Sequence, residues 1–188
     1  MGLLRKGLAQ MLISDLAGID AVQLVERDRL EAVLAELKLG KSGAIDPASA
    51  AKVGKLLGAR YQVLGGYFDM AGTLRVDARV VEVETGRVVK SVAASGKPDD
   101  FLAVEGKRAN DLGAVLGQEL KLPAPATARA ARVKRPAKLP AKVAALYSRA
   151  LAELDGGEKD KAKATLQAVI KAEPDFQLAG VDLDKLMQ

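Results

Sequence analysis

Few side chains in this chain have the types and spacing for chemistry. Its 188 residues include no His and no Cys. That removes the commonest general base near neutral pH, thiolate chemistry and the usual zinc ligands. Asp, Glu, Lys, Ser and Tyr remain, so an enzyme built on carboxylates or a lysine stays as one alternative. Gly40-Lys41-Ser42 has the ending of a phosphate-binding loop. That motif needs a glycine five positions before Gly40, where Ala35 stands, and it needs a strand before the loop and a helix directly after it. Here a helix precedes and a loop follows, so the stretch reads as an exposed interhelical loop. Asp69, Asp77, Glu82 and Glu84 are clustered carboxylates, but alternation along a strand makes a solvated face, with Arg75 and Arg79 as cross-strand partners. A paired-carboxylate hydrolase needs two acids converging in a cleft, and nothing in the spacing brings them together.

Charge points to one further candidate. Residues 1–120 balance 16 basic against 16 acidic groups, residues 121–142 carry seven basic and no acidic ones, and residues 143–188 carry six against eight. The net +5 therefore belongs to one short segment. Arg129, Arg132, Lys134, Arg135 and Lys138 are its candidate anion contacts, for nucleic acid or another anionic polymer. With 3% aromatic residues and no Trp, stacking on bases has little support, and the plainer reading is a tether extended by self-repulsion.

The elements that would position these groups centre on 58–95. Leu74, Val76, Ala78 and Val80 alternate with Arg75, Asp77 and Arg79, the period of a half-buried antiparallel strand. Turns at Ala71-Gly72 and Thr85-Gly86 make a three-stranded meander of 61–69, 73–83 and 88–95. The alternation breaks at Val80-Val81, which predicts a bulge or a change of face. Leu4, Leu8, Met11, Leu12 and Leu16 share one side of an opening helix, read as core-facing rather than as a membrane anchor. A short strand is expected at 21–25. Helices follow at 28–37, at 47–57 after the Asp46-Pro47 start signal, and at 101–120. No run approaches the ~20 apolar residues of a membrane-spanning helix, and no signal peptide is evident.

Residues 121–142 hold Pro123, Pro125, Pro136 and Pro140, which defeat a continuous helix and predict a basic Pro/Ala-rich linker. Beyond it, 143–154 and 159–172 read as an antiparallel helix pair, with a short turn at 181–186. Ala150, Ala162 and Pro174 stand at spacings of 12 and 12, which resembles the small-small-proline pattern of a tetratricopeptide repeat. Glu153 departs from that pattern where an aromatic is usual. A single repeat cannot bury its own face, so it must dock on something.

Val25-Glu26-Arg27 with Leu30 and Leu34, Gly43, Asp46-Pro47, Ala51 to Gly58-Ala59, Val63-Leu64-Gly65 and Val83-Glu84-Thr85-Gly86 together resemble the CsgG-type family of envelope domains, which includes LpoB, FlgO and TolB-N-like domains. The resemblance covers roughly 1–120. It implies an α+β domain of the bacterial envelope, usually the periplasmic part of a lipoprotein, acting by protein–protein contact without catalysis or cofactor. Pore-forming members insert long amphipathic hairpins. Here only Gly96–Asp100 separates the last strand from the next helix, so no pore is expected. The family's opening strand and lipobox cysteine are not seen either, so an upstream segment is expected and, without it, an open edge beside 21–25.

The expected fold is therefore α+β: a mixed sheet with a three-stranded antiparallel meander covered by helices, plus a C-terminal helical hairpin. The expected organisation is a CsgG-like domain at 1–120, the linker at 121–142, and a tetratricopeptide-like pair and tail at 143–188. The expected role is a non-enzymatic module of an envelope assembly or regulatory system. It would be periplasmic or outer-membrane-associated, with another envelope protein or a second copy as partner, and membrane-attached only through an upstream signal or lipid anchor.

Overall fold

The computed structural model describes residues 4–19, 22–37, 47–70, 72–97, 101–121, 136 and 138–188. Helices α1 (Arg5–Leu16), α2 (Arg27–Glu36) and α3 (Pro47–Leu56) precede strands β1 (Tyr61–Met70), β2 (Thr73–Glu82) and β3 (Val88–Gly96). Helices α4 (Phe101–Glu119), α5 (Ala141–Asp155), α6 (Lys159–Ala172) and α7 (Gln177–Met187) follow. The fold is α+β, with a three-stranded antiparallel sheet in the order β1-β2-β3.

The sheet follows from alternation. Leu74, Val76, Ala78 and Val80 are all at most 5% exposed, and this face carries the helices. Gly72 and Gly86 take φ of +77° and +69° at the two turns, a region open to glycine at no steric cost. The β2–β3 register slips between Val80 and Val81, whose partners are Lys90 and Val88, so the extra residue is Val89 of β3. Val81 and Val83 lie on the face opposite Val80 by ordinary alternation and are buried there as well. At that end α3 lies close. A Cβ on Gly54 would fall 2.6 Å from Val83 Cγ2, so glycine is what allows the helix to approach.

Three apolar clusters hold the layers. Leu16, Ile19, Ala78, Val80, Leu112, Val115 and Leu116 join α1 and α4 to the sheet. Leu34, Val53 and Leu57 join α2 to α3. The largest cluster crosses the expected domain boundary. Leu8 and Met11 of α1, Leu74 and Val76 of β2 and Ala94 of β3 pack with Val143, Tyr147 and Leu151 of α5 and with residues of α6 and α7.

Three expectations are corrected. Residues 22–25 enter no ladder, and the sheet has three strands among the described residues. Their apolar side chains are drawn to two different cores. Val22 and Leu24 pack with the α4 cluster, while Val25 packs with α2 and α3. The tail is an eleven-residue helix rather than one short turn, because Phe176, Leu178 and Ala179 are buried against α5 and α6. The C-terminal helices also begin earlier than expected. Leu139 is fully buried and α5 opens at Ala141, directly after Pro140.

Candidate functional site

Asp155, the last residue of α5, is where three helices meet. Its two carboxylate oxygens accept from Arg27 Nη1 at 2.6 and 2.7 Å. Lys6 of α1 also donates to Asp155, and to Glu31 of α2 at 2.9 Å. Arg27 is 6% exposed, and its Nε is buried with no hydrogen-bond partner. A guanidinium taken this far from water needs a carboxylate, since an uncompensated buried charge costs several kcal/mol, about 3–5. The arrangement ties α5 to α1 and α2, and removing one partner would leave a buried charge uncompensated, a larger loss than breaking an exposed ion pair.

The start of α1 shows the same dependence on distant residues. Leu4 supplies no side-chain cap. The Gly7 N–H donates instead to Ser148 Oγ of α5 at 3.1 Å, and the Leu4 N–H donates to the Tyr67 hydroxyl of β1 at 3.2 Å. Orphan donors that a local Ser or Asp would satisfy are satisfied from across the core.

Beside Asp155 lies a half-open cleft of about 500 Å³ between α2, α5 and α7, with Arg27, Glu31, Leu151, Asp155, Asp182 and Lys185 on its wall. Asp182 of α7 is 7% exposed and accepts from the Tyr147 hydroxyl at 2.5 Å. Burial pushes its carboxyl above the usual range, against the opposing pull of the Tyr147 hydrogen bond and of Lys185 and Arg27. Tyr147 also meets Phe176 edge to face at 5.0 Å, so one side chain of α5 anchors α7 through both its ring and its hydroxyl.

Within the helix pair, Ala150 and Ala162 are fully buried, and Pro174 lies exposed in the turn after α6. At the position where the repeat pattern has an aromatic, Glu153 accepts from Thr165 Oγ1 of α6 at 2.6 Å and from Arg149 Nε at 2.8 Å. Burial alone would raise the Glu153 carboxyl, but those hydrogen bonds outweigh it and hold it below its usual range. A polar bridge thus stands where a ring would otherwise pack.

The other candidates fare differently. Arg129, Arg132, Lys134 and Arg135 lie outside the described residues, as does Gly40-Lys41-Ser42, while Lys138 is exposed. Arg75 pairs with Asp77 on its own strand at 2.9 Å rather than across the ladder. Residues two apart on a strand share a face, so the nearer partner wins. Glu82 and Glu84 border a shallow hollow of about 490 Å³ with Lys55 and Arg60. Glu82 accepts from Thr85 Oγ1 at 2.7 Å and lies 3.8 Å from Arg87, which makes it part of the turn. Sequence reasoning missed Lys6, Arg27, Asp155 and Asp182. Nothing in their spacing links them; the one available signal was a basic residue, Arg27, at the first position of a helix, where the helix dipole favours acidic ones.

Three comparisons bear on these observations. The family described as curli production assembly/transport component CsgG matches residues 3–70, the stretch from α1 through β1. No curated protein matches the chain. Among solved structures, the LpoB C-terminal domain from Salmonella enterica is similar at 17% identity with a TM-score of 0.36. The similarity covers 40% of this chain and 56% of that one, so the chain spans little more than half the length of that structure.

Proposed function

We propose, with the match of residues 3–70 to the curli production assembly/transport component CsgG as premise, that the chain is a non-enzymatic interaction module of a bacterial envelope assembly or regulatory system. The match carries the reading. The described side chains agree with it: Arg27 and Lys6 on Asp155 and Tyr147 on Asp182 tie helices together. The module works at the periplasmic or outer-membrane side without forming a pore, since four residues between β3 and α4 are too few for a membrane-spanning hairpin. Its tetratricopeptide-like pair, α5 and α6, is docked on α1 and closed by α7, which supplies the neighbour a lone repeat lacks.

The test is affinity capture from envelope extract, followed by reconstitution from purified components. A stoichiometric complex with one envelope protein, and no dye release from liposomes, is the expected result. Enrichment no better than an unrelated basic domain would overturn the reading. The charge count favours one second reading, an anionic polymer bound through 121–142. It expects retention on nucleic acid or acidic polysaccharide that falls steeply with salt and is lost when Arg132, Lys134 and Arg135 are neutralised.

A further inference from the structure

α7 is anchored unevenly along its length. Its start is held by apolar burial, for Phe176, Leu178 and Ala179 are all at most 3% exposed. From Gly180 to Met187 the one buried side chain is the carboxyl of Asp182. Leu183 and Leu186 are half-buried, and Val181, Asp184 and Lys185 are exposed. A contact that an aliphatic residue usually makes in a helix of this kind is made here by an acid.

Gly180 stands at the boundary between the two halves. It lies inside the helix, where only proline is less favourable than glycine. Packing does not call for it, since a Cβ there would meet nothing within 4 Å. Nor does its backbone, which is not among the positive-φ glycines. The helix is therefore weakest between its apolar anchor and its carboxyl.

Asp182 is held by a neutral group, the Tyr147 hydroxyl of α5. The charged groups that face it are Glu26, Arg27, Asp28 and Glu31 on the α2 side, Asp155 of α5, Lys159 of α6 and Lys185 of α7 itself. Arg27 Nη1 is taken by Asp155 and Lys185 is exposed. Among the described residues Asp182 forms no ion pair, so once ionised it is a buried charge without a paired cation, which favours its return to water. Burial raises its carboxyl, so the docked helix binds the proton more tightly than the released one. Protonation favours docking, and rising pH favours release.

We infer that residues 180–187 are a lid on the cleft between α2 and α5, hinged at Gly180, that stays down while Asp182 carries its proton and lifts when Asp182 ionises. Leu151 and Leu154 share the cleft wall with Asp182 and Leu186, so lifting bares an apolar floor beside Arg27. The start of α7 keeps its contacts throughout, which makes the opening local rather than a loss of the helix. The lid works within one chain and is independent of the interaction-module reading.

Amide hydrogen exchange of the full chain, corrected for the intrinsic effect of pH and run from about pH 4 to pH 7, tests the lid. Protection of 182–187 is expected to fall severalfold across that range while 159–172 of α6 keep theirs. Asp182→Asn should abolish the fall. Gly180→Ala should raise the protection of 182–187 about fivefold at every pH, from the helix preference of alanine over glycine, and leave the fall in place. Protection that is flat with pH in the parent, an equal fall in Asp182→Asn, or α6 loosening in step with α7 would each overturn the lid. Unchanged protection in Gly180→Ala would overturn the hinge.

Discussion

At the residue scale, Asp182 and Asp155 meet different partners, a tyrosine hydroxyl and a guanidinium. The Asp182 carboxyl is raised by burial, so the folded chain holds a proton that the unfolded chain releases. Its contribution is therefore most favourable below the usual carboxylate range and is lost as pH rises through the folded value. Asp182→Asn keeps an acceptor for Tyr147 and removes the titration. Denaturant midpoints measured from about pH 3 to pH 7 should then fall less with rising pH in the variant than in the parent. Glu153 has the reverse sign, since it is held below its usual range. It contributes stability above its unfolded value, lost as pH falls through the folded one, and taking the Asp182→Asn difference removes this background. Asp155 is tied to the Arg27 guanidinium. Asp155→Ala strands Arg27 and should cost about 3 kcal/mol, read by urea denaturation. The double variant Arg27→Met, Asp155→Leu should recover most of that loss, because two apolar groups need no partner.

At the scale of elements, the helix pair packs through small residues, and α1 is capped from outside itself. Ala150 and Ala162 have no exposed surface. Replacing either with Leu should overpack the pair and lower stability by roughly 1–3 kcal/mol, visible as a drop in Tm. Ser148→Ala removes the acceptor for the Gly7 N–H and should cost about 0.5–2 kcal/mol. Amide hydrogen exchange should localise that loss to the first turn of α1. An effect confined to α5 would show that Ser148 serves its own helix and not the cap.

At the scale of the whole molecule, a reading by composition splits the chain at its basic, proline-rich stretch, whereas the largest apolar cluster runs straight through that division. Leu8, Met11, Leu74 and Val76 are covered by α5 and its neighbours. A fragment ending at residue 121 would expose them together, and an apolar patch of that kind drives association. Such a fragment should be less soluble than the full chain, bind a hydrophobic dye and unfold at lower denaturant. A fragment as stable as the parent would support the division at that stretch.

Periodic patterns were legible from the residues alone. The meander, its two glycine turns, the slip at Val80-Val81 and the helix at 159–172 follow from local alternation and turn chemistry, which act over a few residues. The α+β class follows with them; the CsgG resemblance rests instead on motif residues such as Val25-Glu26-Arg27 and Asp46-Pro47, and the match to residues 3–70 supports it in part. What lay beyond the sequence is what distance along the chain conceals. Residues 22–25 look like a strand, yet Val22 and Val25 are claimed by different cores, and tertiary packing overrides a four-residue propensity. The tail reads as too short for a helix until Phe176 and Asp182 find Tyr147. Asp155 meets Arg27 across 128 positions, and Ser148 meets Gly7 across 141. No pattern of spacing encodes such pairs; they arise only once the helices have packed and each buried polar group must find a partner.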